Sequence, residues 1–296
     1  MTTSSRRSLF LTDRAGGAGI GMLVAAFAIA WLGGPGTVRA EDELPSAEQV
    51  MAKYIEAIGG EAALGKLHNR LTKGVFEGAG LASPMTFTAY TAEPAKRHVL
   101  MESESTGRIE EGTDGTVAWS SDSIAGSRLL EGTERDQAVQ RAFFHQDLKW
   151  RERFDKVECV GVESVDGKPC YKLVATPAEG KPETWYFDQQ SYLRIKSVSI
   201  RETQRGDLPI EYVASDFRKV DGVLQPYKLL QKMATREMVI TIESIEHNVD
   251  LPAGLFLPDE IKTLIELEKE MAEAEAAEAA EAAEEAEEAQ EAEQPE

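Results

Sequence analysis

The feature that most constrains the fold of this chain is a change of hydrophobic period near residue 70. From there to residue 246, apolar residues recur at every second position in a series of short runs, which is the pattern of half-buried β-strands. Turn dipeptides such as Asp114-Gly115, Asp166-Gly167 and Asp221-Gly222 separate several of these runs. The pattern predicts a mainly β chain built from consecutive antiparallel hairpins.

Twelve strands are predicted from this alternation. Their ranges are 71–76, 85–91, 97–103, 108–111, 116–120, 156–163, 170–176, 183–188, 193–200, 210–217, 223–231 and 238–246. So many hairpins in succession favour a strongly curved sheet or a barrel, because these arrangements protect the edges of a long antiparallel sheet.

Helices are predicted before the strands and once between them. Ser46 and Gln49 form a capping box, and an apolar face runs from Val50 to Ile58 before Gly59-Gly60. Short helices are also predicted at 61–67 and 133–144, the second followed by an aromatic connector that reaches Trp150. Because an apolar helix must bury its stripe, the concave side of the sheet is the expected place for it. The pattern therefore predicts a strongly curved antiparallel sheet or a barrel, with helices on its concave side.

The first 40 residues have the composition of an export signal. Basic residues, among them Arg6 and Arg7, precede the apolar stretch 20–32, and small residues lead to a cleavage site after Ala40. A membrane anchor is the alternative, but the stretch is shorter than the roughly 20 apolar residues that a span needs. The two adjacent arginines fit a twin-arginine signal, and export of the unfolded chain by the general route remains an equal alternative.

The location of the mature protein follows from this segment. No cysteine lies in residues 1–40, so the mature N-terminus has no site for the diacylglyceryl group of a bacterial lipoprotein. We therefore expect a soluble protein of the periplasm, or of an equivalent exported location, with no membrane span after cleavage. Residues 41–258 would then form one domain, and residues 259–296 would form a separate tail.

The two cysteines of the chain, Cys159 and Cys170, could form a disulfide in an oxidising compartment. A straight hairpin turning at Asp166-Gly167 would place both on one face of the sheet, four residues apart, or about 13 Å at the rise of a strand. A bridge then requires a bend, which Gly161 could supply. Two buried free thiols are the alternative.

Charge is distributed unevenly along the chain. Residues 259–296 contain sixteen acidic residues and two lysines, and they supply most of the formal net charge of −20. An acidic body is expected to have no electrostatic footprint for nucleic acid or for anionic lipid headgroups. The tail is expected to be solvated, partly helical or disordered, because beyond residue 271 it is almost entirely Glu and Ala. Its alternative role is to attract a basic partner.

Four motifs, taken in their order along the chain, resemble the LolA/LolB-like superfamily of outer-membrane lipoprotein-sorting proteins. They are Tyr-Ile-Glu-Ala-Ile-Gly-Gly at 54–60, Thr-Asp-Gly-Thr-Val-Ala-Trp at 113–119, Gly-Val-Glu-Ser-Val-Asp-Gly-Lys at 161–168, and Trp-Tyr-Phe-Asp at 185–188 with Leu-Arg-Ile at 193–195. The resemblance covers nearly all of 45–250. It implies an open half-barrel, an unclosed sheet wrapped over helices, with an apolar cavity that holds acyl chains or senses envelope lipids and lipoproteins.

Apolar side chains that share strand faces, or that belong to the inserted helix and its connector, are the candidates for lining such a cavity; core packing is the alternative for each. The candidates are Met85, Phe87, Val99, Met101, Val117, Trp119, Phe143, Phe144, Trp150, Trp185 and Phe187. The last part of the inserted helix and its connector, with Phe143, Phe144 and Trp150, would either cover the cavity or anchor the helix.

Catalytic and metal-binding patterns are not found in the sequence. The four histidines are far apart in the chain, and no nucleophile elbow or phosphate-binding loop is present. We therefore expect neither metal nor cofactor, and not an enzyme. The leading hypothesis is an exported protein that binds a lipid, a lipoprotein acyl chain or another hydrophobic ligand. The alternative is an interaction module that acts through a sheet edge or the acidic tail.

Overall fold

The computed structural model of the protein describes residues 44–79, 81–203 and 206–292. The predicted export signal at 1–40 and its cleavage site after Ala40 lie outside these residues, as do the last four residues of the predicted tail. Within the described ranges, no helix combines the length and apolar character that a bilayer span requires.

The described ranges form five helices and thirteen strands. The helices are α1 (Ala47–Ala57), α2 (Glu61–Leu64), α3 (Gly132–Ala142), α4 (Trp150–Arg153) and α5 (Asp259–Ala292). The strands are β1 (Asn69–Gly78), β2 (Met85–Ala92), β3 (Lys96–Ser103), β4 (Gly107–Thr113), β5 (Ala118–Asp122), β6 (Gly126–Leu130), β7 (Lys156–Val165), β8 (Lys168–Thr176), β9 (Glu183–Asp188), β10 (Arg194–Thr203), β11 (Gly206–Val220), β12 (Val223–Met233) and β13 (Arg236–His247).

All thirteen strands form one antiparallel sheet. Its order is β6-β5-β4-β3-β2-β1-β13-β12-β11-β10-β9-β8-β7, so strands that are neighbours in the sheet are consecutive in the chain, except for β1 and β13, which pair in the middle. The sheet stays open between β6 and β7. The predicted class, an open antiparallel sheet with helices, is confirmed. Strand β6 is an addition to the twelve predicted strands.

Helix α3 shows how strongly the sheet curves. It contacts β3, β4 and β5 on one side and β10 on the other. In the sheet order β3 and β10 are six strands apart, which on a flat sheet would be about 29 Å. An eleven-residue helix is only about 16 Å long. The sheet must therefore bend around α3 for the helix to reach both sides.

Helix α1 packs on the same concave side and forms the main core. Its predicted capping box is confirmed, because the Ser46 side chain accepts a hydrogen bond from the Gln49 backbone and the Gln49 side chain accepts one from Ser46. Val50 and Tyr54 on its apolar face are buried. The helix ends before Gly59, where φ is +131° and a Cβ would lie 2.6 Å from the Gly222 carbonyl oxygen. Only glycine fits that close approach without strain.

The β7–β8 hairpin differs from the straight hairpin that the sequence predicts. Cys170 lies opposite Glu163 as expected, but an irregularity between Cys159 and Gly161 moves Cys159 opposite Leu173. Because Cys170 and Leu173 are an odd number of residues apart, the two cysteines lie on opposite faces of the sheet. The expectation that they share a face is therefore wrong, and both are free thiols.

The convex side of the sheet near β5 is covered by the segment that leads into α5. Trp119, which is 1% exposed, donates a hydrogen bond of 3.0 Å from its indole nitrogen to the Phe256 carbonyl. Ser127 of β6 donates one to Glu260 of α5 at 2.5 Å, and Ile261 is buried. The first turns of α5 are thus attached to the body of the protein.

Candidate functional site

Strand register defines one continuous inner face of the sheet. Directly opposed residues in neighbouring antiparallel strands project from the same face. Phe87 lies opposite Met101, and Tyr212 lies opposite Ser197, which in turn is opposite Trp185. Trp185 belongs to the core under α1, so these residues share the face on which α1 lies. We call this concave side the inner face.

An apolar patch in the middle of the inner face consists entirely of strand residues. We call it the strand patch, and its eleven members come from β1, β2, β3, β11, β12 and β13. They are Phe76, Phe87, Ala89, Met101, Tyr212, Val220, Tyr227, Leu229, Ile240, Ile242 and Ile245.

Six members of the strand patch keep part of their surface exposed, and no member is as completely buried as Val50 and Phe187 of the core under α1, which are both 0% exposed. These six are Phe76, Ala89, Met101, Tyr212, Val220 and Leu229. From β3 to β11 the patch spans five strand spacings, or about 24 Å. It therefore offers an extended apolar surface to a ligand on the concave side.

Beside the strand patch lies a cleft of about 490 Å³ between α3, α4 and the inner face of β10 and β11. Its lining is mixed: Phe143, Phe154 and Ile210 supply apolar surface, while Arg141 and Arg201 supply positive charge. Tyr212 belongs both to this cleft and to the strand patch. The two regions therefore form one continuous surface.

An ion pair between Arg194 and Asp147 helps to hold together the part of the inner face that lies under α1. Arg194 binds Asp147 at 3.0 Å and stacks over the rings of Tyr54 and Trp185, with 5.3 and 5.6 Å to their centroids. Burial works to lower the pKa of Arg194, but the charge of Asp147 outweighs it and the pKa is raised. Burial also raises the pKa of Tyr54. The charges of Arg194 and Asp147 therefore compensate each other in this part of the inner face.

Glu93 joins the α3–α4 connection to the other side of the sheet. Its carboxylate contacts the His68 Nδ1 at 2.8 Å and the His145 Nε2 at 2.5 Å. Phe144 donates a backbone hydrogen bond to the Pro94 carbonyl at 3.0 Å. The connection is therefore held against the β2–β3 turn, and α3 is anchored at its C-terminal end.

The eleven predicted cavity residues fall into distinct environments. Phe87 and Met101 belong to the strand patch, and Met85 and Val99 lie beside it, opposite Phe76 and Ala89. Phe143 lines the cleft.

The remaining predicted residues lie elsewhere. Phe144, Trp150, Trp185 and Phe187 pack in or against the core under α1. Val117 is partly exposed just before β5. Trp119 lies opposite Gly112, which is opposite His98, and this register places Trp119 on the outer face. It cannot line an inner cavity.

Several residues of this surface were not predicted. Ile240, Ile242 and Leu229 carry much of the strand patch, and Arg97, Arg141 and Arg201 approach one another near Tyr212. One signal was available in the sequence: Arg97 occupies the same alternating positions as Val99 and Met101. Among the described residues, no group of three or more His, Cys, Asp or Glu side chains is arranged to hold a metal ion.

Comparisons with known proteins identify the fold but no family. No protein-family model matches the chain, and no curated protein does. A DUF1329 family protein from Desulfovibrio piger is similar in structure, with 14% identity, 72% of this chain and 98% of that chain covered, and a TM-score of 0.50. A LolA superfamily protein from Nitrosomonas europaea shows 15% identity, 73% and 100% coverage, and a TM-score of 0.50.

These similarities establish a LolA-like fold for residues of this chain that the comparison covers. At 14% and 15% identity, these similarities support only the arrangement of the backbone. What the surface binds must be argued from its own side chains.

Proposed function

We propose that this protein is a non-enzymatic binding protein whose inner face holds a lipid, a lipoprotein acyl chain or another hydrophobic ligand. The observation that carries the proposal is the strand patch, an apolar surface on the concave side of the sheet whose members all belong to strands. Its continuity with the cleft beside α3 provides space for a bound molecule next to apolar side chains. The similarity to a LolA superfamily protein supports the same reading at the level of fold.

The physical driving force for such binding is burial of the ligand's own chain. Each buried CH₂ contributes about 0.8 kcal/mol, so a long acyl chain could contribute on the order of 10 kcal/mol before the costs of association. Half-exposed members such as Phe76, Met101 and Leu229 gain from the same contact, because the ligand removes their remaining surface from water. Affinity of this kind needs shape and apolarity rather than a signature motif.

The envelope as the place of action is part of the proposal and depends on residues 1–40. Purification of the protein from its own envelope, followed by native mass spectrometry and solvent extraction, tests both points. We expect a mature chain that begins near Glu41 and carries an extractable amphiphile. A protein that carries no amphiphile and takes up no neutral hydrophobic probe would contradict the binding function.

A substitution within the strand patch tests its location. Met101→Gln places a polar amide on the patch, and we expect it to weaken binding of the neutral dye Nile red by about tenfold, since burying an unpaired amide costs on the order of 1–3 kcal/mol. Met271→Gln is the matched control, because Met271 is 64% exposed on α5. Equal affinities of the two variants would locate the binding surface elsewhere.

One observation favours a second candidate function, a protein interaction through the sheet edge. Strand β7 ends the sheet and exposes Val160 and Val162, which are 50% and 47% accessible. An open strand edge with apolar side chains can pair with a strand of another chain. Under this alternative, Val162→Lys abolishes capture of an envelope protein and leaves Nile red binding unchanged, whereas unchanged capture removes the edge from consideration.

A further inference from the structure

Three arginines from separate elements converge on the inner face beside the strand patch. We call Arg97, Arg141 and Arg201 the arginine cluster; they come from β3, α3 and β10. Arg97 lies two residues before Val99, on the same face, and Arg201 lies two residues after Ser199, which is opposite Ile210 in the cleft. Each of the three interacts electrostatically with Tyr212. The curvature of the sheet around α3 brings them together.

The cluster is not neutralised by the protein. The carboxylate nearest to it is Glu111, which lies 3.9 Å from Arg97. Within the described part of the chain, neither Arg141 nor Arg201 forms an ion pair with a carboxylate. Arg194 shows the contrast, because it binds Asp147 directly at 3.0 Å. The cluster thus carries about two uncompensated positive charges at neutral pH, in a chain whose formal net charge is −20.

Acidic residues that line the cleft do not supply the missing counter-charge. Four of the five already pair with a basic side chain outside the cluster. These pairs are Asp136 with Arg135 at 2.7 Å, Glu152 with Lys149 at 3.4 Å, Glu183 with Arg153 at 3.6 Å and Glu202 with Lys181 at 3.7 Å. The fifth, Glu179, lies on the β8–β9 loop.

The three guanidinium groups of the cluster act on one another as like charges. Although the Arg141 side chain reaches solvent through the open cleft, desolvation together with the charges of Arg201 and Arg97 lowers its pKa to about 10. Burial likewise lowers the pKa of Arg97. Like charges held close together in a partly dry setting destabilise one another, and an anion placed between them would remove the repulsion.

A fourth arginine provides an independent indication of an unsatisfied site. Arg70 of β1 and Arg97 of β3 both lie opposite Thr91 of the intervening strand β2, so their backbones are about 10 Å apart on the inner face. The Arg70 Nε is buried and has no hydrogen-bond partner. Buried polar groups are normally paired. Among the described residues, Arg70 Nε is one of five buried side-chain nitrogen or oxygen atoms without a partner, and its position beside Arg97 is where a bound anion would supply one.

We infer that the ligand of this protein is an anionic amphiphile, whose carboxylate or phosphate headgroup is bound by Arg97, Arg141 and Arg201 while its acyl chain lies on the strand patch. The inference rests on the proposed binding function and specifies the class of ligand. Tyr212 links the two parts of the site, because it belongs to the strand patch and also interacts electrostatically with all three arginines. Guanidinium groups bind carboxylate and phosphate through paired charge-assisted hydrogen bonds.

Displacement of Nile red by ligands of one chain length tests the inference. The ligands are dodecanoate, dodecyl phosphate and the neutral dodecanol, with inorganic phosphate as a headgroup without a chain. The proteins are the wild-type full chain, the double variant Arg141→Gln/Arg201→Gln, and Arg128→Gln as control. Arg128 of β6 does not line the cleft; its side chain is 57% exposed and pairs with Glu134, which does not line the cleft either. Circular dichroism and the melting temperature establish that each variant is folded.

We expect the double variant to bind dodecanoate and dodecyl phosphate about tenfold or more weakly, since a hydrogen bond to a charged group is worth roughly a tenfold change in affinity. Its affinity for dodecanol, and all affinities of Arg128→Gln, should equal those of the wild type. Higher salt should weaken only the anionic ligands, because screening acts on charge.

The contrary outcomes separate this inference from the proposed function. If the double variant lost affinity equally for dodecanol and dodecanoate, or for neither, the arginines would not bind an anionic headgroup. Hydrophobic binding would still stand. If inorganic phosphate competed with Nile red as well as dodecyl phosphate does, the acyl chain would contribute nothing, and the inference of an amphiphilic ligand would be wrong. If the wild-type protein bound none of the three twelve-carbon ligands, the proposed function would be wrong, and the inference with it.

Discussion

At the scale of single residues, the outer face near β5 shows how tightly one side chain is packed. Gly112 lies directly opposite Trp119, and a Cβ on Gly112 would lie 2.5 Å from the indole ring. Trp119 cannot move away easily, because it is 1% exposed and hydrogen-bonded to Phe256. The glycine is therefore required by close approach and not by backbone conformation.

We expect Gly112→Ala to lower the free energy of unfolding by about 1–3 kcal/mol, the usual cost of overpacking a core. Gly161→Ala is the matched control: it also lies in a strand, and a Cβ there meets no atom within 4 Å. That control should change stability by no more than about 0.5 kcal/mol. Urea denaturation of both variants measures the difference, and equal stabilities would show that Trp119 can move.

Asp188 gives the protein a pH-dependent contribution to stability. It is 7% exposed and its carboxylate accepts hydrogen bonds from the Gln190 and Ser191 backbones and from the Ser191 hydroxyl. Burial raises the pKa of Asp188, but these hydrogen bonds outweigh burial and hold the pKa below its ordinary value. A carboxyl with a depressed pKa in the folded state stabilises that state above its unfolded pKa.

We therefore expect Asp188→Asn to destabilise the protein most near neutral pH. The unfolded pKa of aspartate is about 3.9, so the stabilisation is fully present well above that pH and is lost as the pH falls through the lower folded pKa. Free energies of unfolding for wild type and variant should converge at acidic pH. A difference that stays constant between neutral and acidic pH would show that the charge of Asp188 contributes nothing.

At the scale of the elements, alternation in the sequence predicts most strands because each packs one face against a core. Strand β9, Glu183–Asp188, has the predicted bounds, and β2 extends the prediction by one residue. Strand β6 was missed because Gly-Ser-Arg-Leu-Leu has no alternation; pairing with β5 and contact with α5 stabilise it instead. The displaced register at Cys159 was also beyond prediction, since a bulge depends on both strands of a pair.

Helix α5 combines an attached first part with an exposed remainder. Ile261 is 1% exposed at its start, whereas Leu267, two turns later, is 51% exposed. A stripe of apolar residues predicts that this helix packs on the body, but the sequence cannot say where the contact stops. Contact with β6 sets that limit.

We expect Ile261→Ala to reduce the free energy of unfolding by about 2–4 kcal/mol, because it leaves a cavity at a buried site. Leu267→Ala on the same helix should change it by no more than about 0.5 kcal/mol. Thermal or urea unfolding distinguishes the two. Similar effects of both substitutions would mean that the packed part of α5 is longer than its first two turns, or that it does not pack at all.

At the scale of the whole described domain, the fold could be predicted from the sequence, but only part of the proposed binding surface could. Strand faces are local, so Phe87 and Met101 were found by alternation along their own strands. Convergence is not local: Arg97, Arg141 and Arg201 come from β3, α3 and β10, and only the curvature around α3 brings them together. Alternation shows which residues of a strand share a face, but it does not show which face is the concave one. For this reason the sequence alone places Trp119 among the cavity candidates.

The pairing of β1 with β13 makes the last strand a condition for the integrity of the sheet. We expect a chain that stops at residue 235 to lack a cooperative unfolding transition, because both β1 and β12 then lose a neighbour in the middle of the sheet. A chain that stops at residue 271 retains all thirteen strands and the packed start of α5, and should unfold cooperatively. Calorimetry of the two truncations checks this, and a cooperative transition in the shorter chain would contradict it.

The same pairing has a consequence for the order of events during synthesis. Strand β1 is complete at Gly78, but β13 begins only at Arg236. At about 5–20 residues per second, β1 has left the ribosome for roughly ten to thirty seconds before its partner exists. During that interval the edge of β1 is open to other chains, and an open edge invites pairing between molecules. We therefore expect the nascent chain to stay unfolded, or bound to a chaperone, until β13 has been synthesised.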